Sequence, residues 1–113
     1  MIPITRSLHT SLISGEITST ALVQQCKSVI EAKEPQVHAF LSHDVSAALQ
    51  QAEGIDARRK SGQSVGLLAG LPVGLKDNIC VQGTQATCAS RILENFISPY
   101  DSHVAERLKA EGA

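Results

Sequence analysis

The sequence Gly-Leu-Pro-Val-Gly-Leu-Lys-Asp-Asn, residues 70–78, changes abruptly from an apolar, glycine-punctuated run to a lysine, an acid and an amide. Val73 and Leu75 favour a strand, and Pro72 suits the first position of one. We therefore predict a short buried strand here. Lys76 is expected at its end, held by apolar neighbours, where burial disfavours the charged form and lets a lysine lose its proton near neutral pH.

The same stretch has a plainer interpretation. Most lysines are solvated surface charges, and the position of Lys76 alone does not distinguish a catalytic amine from one of these. Gly70 and Gly74 allow another backbone or a ligand to approach this stretch closely, because neither residue carries a Cβ. The rest of the chain decides between the two interpretations.

Composition places the chain among ordinary globular proteins. Its 113 residues suffice for about one modest domain, and 42% of them are apolar. Aromatic residues number three, so the core is expected to be aliphatic. Ten basic and eleven acidic residues leave no strongly basic face for nucleic acid. The basic cluster at residues 58–60 is interpreted as solvated charge near a helix C-terminus.

The cysteines indicate a reducing compartment. Cys26, Cys80 and Cys88 are odd in number and lack C-x-x-C spacing, so neither a disulfide scaffold nor a structural zinc site is expected. The N-terminus lacks a signal-peptide layout, and no apolar run reaches membrane-spanning length. We therefore predict a cytoplasmic protein with no membrane association.

Upstream of residue 70 the sequence predicts three helices. The first covers residues 4–14, with Gly15 as its C-cap. The second is capped by Thr18 or Ser19 and closed by Pro35. Its apolar stripe has helical spacing and comprises Leu22, Val23, Cys26, Val29 and Ile30.

The third helix starts from Asp44 as N-cap and ends near Lys60, with Gly62 beyond it. Between the second and third helices, residues 37–41 alternate imperfectly and predict a short strand. Residues 1–62 thus form a helical N-terminal part.

Residues 63–113 are predicted to begin an α/β core that carries the lysine. Residues 84–90 form a small, polar loop that is either functional or a surface connection using its hydroxyls locally. A helical turn at residues 91–96 and a last helix after Asp101, with Gly112 as C-cap, complete the pattern. A strand normally follows such a helix, so we expect the chain to be the N-terminal part of a longer protein, a single incomplete domain truncated before most of its sheet.

Several chemistries fit this sequence poorly. The glycines form neither G-x-G-x-x-G nor a P-loop, and the four histidines are scattered, although His38 and His43 are close enough to meet across a turn. We predict no metal and no cofactor bound by this segment. Activation of Cys80 or Cys88 by Lys76 is an open but weaker alternative.

A serine/lysine hydrolase fits better. In such sites a neutral lysine accepts the proton of a serine hydroxyl, directly or through an intermediate residue. Asp77 and Asn78 are placed to orient the ammonium or to cap adjacent backbone groups. Ser90 is the nearest serine, but it lacks a G-x-S-x-G elbow.

Residues 68–78 resemble the lysine motif of the amidase signature family. Residues 87–96, 99–101 and 104–109, in that order, sharpen the match and resemble the branch of A subunits of glutamyl-tRNA(Gln) amidotransferases. The resemblance is strong over residues 67–113 and looser over the N-terminal helices.

The resemblance implies a Ser-cisSer-Lys triad on an α/β fold with a mixed central sheet. Lys76 would be the base that relays through the cis-serine to the nucleophile, and both serines would lie outside this chain, so the piece alone is predicted to be inactive. The intact subunit would hydrolyse glutamine. Its ammonia would reach the partner B and C subunits, which amidate Glu-tRNA(Gln) with ATP and magnesium held in the partner.

Two other functions stay open at this point. A related amidase would act on another small amide without tRNA. A non-catalytic module would bind a partner through an uncovered sheet edge.

Overall fold

The computed structural model describes residues 4–113, which form four α-helices and one 3-10 turn. The helices are α1 (Ile4–Ser14), α2 (Ser19–Val37), α3 (Val45–Lys60) and α4 (His103–Ala110), and the 3-10 turn is Arg91–Leu93. Within residues 4–113 no β-strand is present, and the strand-like pairing there is a single antiparallel bridge between Gln85 and Ile97.

The predicted helix starts are confirmed because short polar side chains cap them. The Thr18 hydroxyl accepts a hydrogen bond from the Ala21 N–H at 3.1 Å, so Thr18 rather than Ser19 is the N-cap of α2. The Asp44 carboxylate accepts one from the Ala47 N–H at 2.9 Å and caps α3. Each cap satisfies a donor that the first helical turn leaves without a partner.

The prediction that Pro35 closes α2 is wrong. Proline lacks an N–H, so the helix loses one hydrogen bond to the Glu31 carbonyl, but the chain stays helical to Val37. The His38 N–H then donates to the Glu34 carbonyl at 2.9 Å, and His38 itself is left-handed with φ 50°. One missing bond near the end of a 19-residue helix is insufficient to stop it.

The predicted strand at residues 37–41 is also wrong. Val37 ends α2, and residues 38–41 form an irregular connection in which Leu41 is 72% exposed. A strand needs a neighbouring strand to satisfy its backbone groups. Within residues 4–113 none lies beside this segment.

Residues 70–78, which we call the lysine stretch, likewise lack the predicted strand. No backbone hydrogen bond joins residues 72–75 to any other described residue. Val73 and Leu75 are 48% and 39% exposed, and Lys76 is exposed rather than buried. The cause is the same: no described segment pairs with the stretch or covers it. The mixed central sheet therefore remains a prediction, and so does a domain division at residues 62 and 63.

A small aliphatic core anchors the start of the lysine stretch. Leu12 of α1, Leu22 of α2 and Leu71 form one buried cluster, against which Leu8, Ile17 and Leu68 pack. Leu71 therefore fixes the stretch to the N-terminal helices, five residues before Lys76.

Asp56 of α3 supplies a second cap for α2. Its carboxylate accepts hydrogen bonds from the N–H groups of Ser19 and Thr20 at 2.8 and 2.9 Å, and from the Thr20 hydroxyl at 2.7 Å. A negative charge at a helix N-terminus is also stabilised by the helix dipole. The contact holds α2 and α3 together where their ends meet.

Arg59 corrects the interpretation of residues 58–60 as solvated charge. Its guanidinium donates to the Ala69 carbonyl at 3.0 Å and to the Ser19 hydroxyl at 3.5 Å, and the residue is half-buried. Arg59 lies one helical turn after Asp56 and so faces the same neighbours. It links α3 to the segment that leads into the lysine stretch.

The C-terminal end of α4 holds the other side of that segment. The Leu68 N–H donates to the Glu111 carbonyl, and the Gly70 N–H donates to the Gly112 carbonyl, both at 3.0 Å. Gly112 has φ 79°, as expected for the glycine that ends a helix. A Cβ on Gly66 would lie 2.2 Å from the Glu111 carbonyl oxygen, so a side chain there would break this contact.

We expect Asp56→Ala to lower the free energy of unfolding by about 1–2 kcal/mol, because it removes a helix cap. Urea unfolding followed by circular dichroism measures the change. Glu53→Ala, which removes an exposed acid from the same helix, is the matched control and should have little effect. Equal losses in both variants would contradict the capping role.

Acidification should reproduce part of this loss. Burial opposes ionisation of Asp56, but the hydrogen bonds from Thr20 and Ser19 outweigh it and hold the pKa of the carboxyl below its ordinary 3.8. The stabilisation is therefore present above pH 3.8 and is lost as pH falls through the lower folded value. The melting temperature should drop less steeply below pH 3.8 in Asp56→Ala than in the wild type.

Candidate functional site

Lys76 lies at the start of a turn on the surface. Its carbonyl accepts a hydrogen bond from the Ile79 N–H at 2.9 Å. Among residues 4–113 its ammonium has no hydrogen-bond or ion-pair partner. The predicted apolar enclosure is not formed, because Val73 and Leu75 are themselves partly exposed. The assignment of Lys76 as a base stays a prediction.

Asp77, the next residue, links the lysine stretch by hydrogen bonds to the polar loop of residues 84–90. Its carboxylate accepts hydrogen bonds from the Thr87 N–H at 2.9 Å, from the Thr87 hydroxyl, and from the Ala89 N–H at 3.4 Å. Its carbonyl accepts one from the Cys88 N–H at 3.0 Å. We call these four hydrogen bonds the Asp77 latch. Asp77 thus binds backbone groups 10 to 12 residues further along the chain, rather than the adjacent groups that the sequence suggests.

The latch holds a turn that is unusual for residues with side chains. Cys88 and Ala89 both adopt left-handed backbone conformations, with φ 50° and 54°. Such conformations cost of order 1–3 kcal/mol each when no glycine is present, and they persist where the surroundings fix them. Here the N–H groups of Thr87 and Ala89 both donate to the Asp77 carboxylate, and the Cys88 N–H between them donates to the Asp77 carbonyl.

The same contacts lower the pKa of Asp77. The Thr87 hydroxyl and then the Thr87 N–H stabilise the carboxylate and hold its pKa below the ordinary value of 3.8, against a smaller effect of desolvation. The polar loop uses the Thr87 hydroxyl locally, as a surface connection would; a function for the loop stays a prediction.

Ser90 lies directly after the latched turn. Its N–H donates to the Thr87 carbonyl at 2.8 Å, and its φ of −101° and ψ of 130° are ordinary extended values. A nucleophile elbow places its serine in a strained conformation, and Ser90 has none. Asn78 is exposed.

Neither of the two cysteines near Lys76 in sequence forms a described hydrogen bond with its amine. Cys88 is exposed, and Cys80 is partly buried beside Tyr100. A hydrogen bond with the Cys80 side chain raises the pKa of Tyr100, and the charge of the ionised thiol adds to this. No described hydrogen bond joins either thiol to Lys76, so the structure adds nothing to the alternative of an activated cysteine.

The histidines serve packing and surface contacts. The rings of Phe40 and His43 meet edge to face, with centroids 5.9 Å apart. His103 lies 3.8 Å from the Glu106 carboxylate on the exposed face of α4. In the described part of the chain, no three His, Cys, Asp or Glu side chains are grouped closely enough to hold a metal ion.

Asp101 is the centre of a second set of hydrogen bonds, which the sequence did not predict. Its carboxylate accepts hydrogen bonds from the Lys109 ammonium at 2.7 Å and from the Gln82 N–H at 2.8 Å. The hydrogen bond from Lys109 and then the one from the Gln82 N–H hold the pKa of Asp101 below its ordinary value. A single sequence carries no signal for this contact, because its partners are 19 and 8 positions away.

A wide apolar groove runs between α3, the lysine stretch and α4, with a volume of about 640 Å³. Its walls include Val23, Ala52, Ile55, Leu71, Val73, Leu75, Val81 and Leu108. Lys76 is not among its lining residues. The exposed apolar sides of Val73 and Leu75 therefore face the groove, while the lysine amine lies outside it.

Known proteins resemble this chain over nearly its whole length. The model of the amidase family matches residues 21–113. The A subunit of a glutamyl-tRNA(Gln) amidotransferase from Nostoc punctiforme is 46% identical over 108 residues, which are 96% of this chain and 22% of that protein. The corresponding A subunit from a Cyanothece species is 45% identical over the same shares. The chain thus spans about a fifth of the length of these relatives.

Solved structures agree in fold. A protein of a vestigial complex that reveals the evolutionary origins of an s-triazine catabolic enzyme superposes with a TM-score of 0.89 at 28% identity, over 96% of this chain and 24% of that one. A bacterial aryl acylamidase of the amidase signature enzymes has the same TM-score at 22% identity, over 96% of this chain and 23% of its own. The second likeness concerns the fold alone.

Proposed function

The chain belongs to the amidase family, and we propose that it forms the lysine-bearing part of the subunit that hydrolyses glutamine for the amidation of Glu-tRNA(Gln). The observation that carries this proposal is the identity of 44–46% to A subunits of glutamyl-tRNA(Gln) amidotransferases across 96% of the chain. The match includes the lysine stretch, the latched turn and α4. Glutamine is accordingly the proposed substrate.

Lys76 is the proposed base. In its neutral form the amine accepts the proton of a nucleophilic serine, passed on by the cis-serine, as the serine oxygen attacks the carboxamide carbon of glutamine. The proton returns to the departing nitrogen, ammonia leaves, and water then releases glutamate from the acyl-enzyme by the same relay. Neither serine belongs to these 113 residues in this proposal.

Covering Lys76 itself would complete the environment of the base. Lys76 is exposed in this chain and is not among the residues that line the apolar groove. Burial of its amine by further protein would desolvate it, which lowers the pKa of a lysine. The isolated 113-residue chain, in which Lys76 is exposed, is proposed to be inactive towards glutamine.

The proposed partners follow from the same relatives. The B and C subunits of the amidotransferase would receive the ammonia and transfer it to Glu-tRNA(Gln), with ATP and magnesium bound by the partner. We propose a cytoplasmic location for the complex. Among the helices of residues 4–113, none combines the length and apolar character that crossing a bilayer requires.

A chimera tests the substrate. This chain replaces the matched 108 residues of the Nostoc punctiforme protein, and ammonia release from glutamine is compared with release from other small amides. Release from glutamine, and transfer to Glu-tRNA(Gln) when the B and C subunits are added, supports the proposal. A folded chimera that hydrolyses other amides and ignores glutamine would instead identify a related amidase.

A further inference from the structure

The backbone on both sides of Asp77 is held by hydrogen bonds. The Lys76 carbonyl accepts from the Ile79 N–H at 2.9 Å, and the Asp77 carbonyl accepts from the Cys88 N–H at 3.0 Å. The side chain of Lys76 has no partner of its own in the described range. The backbone therefore fixes the position and direction from which the Lys76 side chain starts.

We propose that Asp77 is a positioning residue for Lys76. By binding the turn at residues 87–89 through its carboxylate, Asp77 keeps the peptide that carries Lys76 in one orientation. The latch contributes no group to the reaction and does not touch the ammonium. The proposal rests on the proposed function only in that the base role of Lys76 makes its orientation matter.

The hydrogen-bond donors around the side chain of residue 77 require a carboxylate. Three donors, two N–H groups and one hydroxyl, converge on the two oxygens of Asp77. An ionised acceptor forms shorter and stronger hydrogen bonds than a neutral one. Asparagine would turn an NH₂ group toward donors, and glutamate would place its oxygens one methylene further away.

The Asp77 latch and the turn at residues 87–89 depend on each other. Without the carboxylate, the N–H groups of Thr87 and Ala89 lose the charged acceptor that helps to hold Cys88 and Ala89 in their left-handed conformations. The turn would then relax toward ordinary backbone angles. Since the Cys88 N–H also holds the Asp77 carbonyl, relaxation of the turn would release the Lys76–Asp77 peptide.

Amide hydrogen exchange of the 113-residue chain, measured residue by residue by NMR, tests this. Asp77→Asn should accelerate exchange at Thr87 and Ala89 by at least about fivefold, because each amide loses a hydrogen bond to a charged acceptor. The Ile79 amide, which reports on the Lys76 carbonyl, should accelerate with them. Amides within α2 and α3 are the internal reference and should change less than about twofold.

Two results would overturn the proposal. If Thr87 and Ala89 exchange faster while Ile79 does not, Asp77 orders the loop but not the lysine backbone. If the amides of α2 and α3 accelerate equally, Asp77 contributes only to global stability.

A matched pair at residue 87 covers the case in which Asp77→Asn does not fold. Thr87→Ser keeps the hydroxyl that donates to Asp77, and Thr87→Val removes it at similar volume. Only the valine variant should accelerate exchange at Ile79. Equal Ile79 rates in the two variants would contradict the latch.

Kinetics of the chimera separate this inference from the proposed function. Asp77→Asn should lower kcat for glutamine by about tenfold or more with little change in KM, since misplacing a base affects the reaction rather than substrate binding. Thr87→Ser should retain kcat. If Lys76→Ala left the chimera active on glutamine, the proposed base role of Lys76 would fail, and if the unaltered chimera ignored glutamine, the proposed function would fail. In both cases the exchange results would still decide whether Asp77 orders the Lys76 backbone.

Discussion

Lys76→Ala in the chimera is expected to lower kcat for glutamine hydrolysis by at least about a thousandfold, the scale seen when one member of a catalytic triad is removed. The reason is that alanine carries no group that can take the serine proton. In the described structure the neighbours of Lys76 in the chain are Leu75 and Asp77, and the carboxylate of Asp77 is already occupied by the latch. Steady-state ammonia release measures the change.

Two further variants separate a base from a simple positive charge. Lys76→Arg keeps the charge, but a guanidinium does not lose its proton at neutral pH, so this variant should be nearly as inactive as alanine. Lys27→Ala removes another exposed lysine, one that pairs weakly with Glu31 on α2 at 3.7 Å, and should keep normal activity. Substantial activity in Lys76→Arg would show that the charge, not proton acceptance, is what matters.

Gly70→Ala is expected to lower the free energy of unfolding of the chain by about 2–4 kcal/mol. Gly70 has φ 82°, and a Cβ there would lie 1.9 Å from the Ser19 hydroxyl oxygen and 2.7 Å from the Ser19 Cβ. Ser19 is fully buried and is held by Asp56 and Arg59, so it has no free space to move into. Urea unfolding followed by circular dichroism measures the loss.

Gly62→Ala isolates the backbone part of this effect. Gly62 has a similar φ of 74°, but nothing lies within 4 Å of the position of its Cβ. The loss there should be about 1 kcal/mol. Ser19→Gly should partly restore Gly70→Ala in a double-mutant cycle, because it removes the clashing atoms. Equal losses at Gly62 and Gly70 would contradict the close approach of Gly70 to Ser19.

Local sequence predicts the helices well because helix signals are local. A cap lies within three residues of the group that it satisfies, so Thr18, Asp44 and the glycines after α1 and α3 are sufficient to place helix ends. Pro35 is misleading because its effect depends on the strength of the remaining hydrogen bonds rather than on its presence alone. The family too is recognisable from residues 68–109, and the comparisons confirm it.

Local sequence does not predict which segments form strands or which charged side chains make contacts. Residues 37–41 and 72–75 have strand-like composition, yet a strand exists only where a second segment pairs with it, and none does within residues 4–113. Arg59 has the sequence context of a solvated charge, but the fold brings it to Ala69 and Ser19. Which charge is solvated depends on distant neighbours.

Residue order alone was therefore enough to establish the helices, their caps and the family, and it makes the lysine stretch the predicted site of chemistry. Three other features follow only from the tertiary structure. Lys76 is exposed in this chain, Gly70 must lack a side chain because Ser19 lies against it, and Asp77 binds a turn ten residues later. Helix propensity and capping act over one turn of chain, whereas burial and the convergence of donors on a carboxylate depend on segments that meet only after folding.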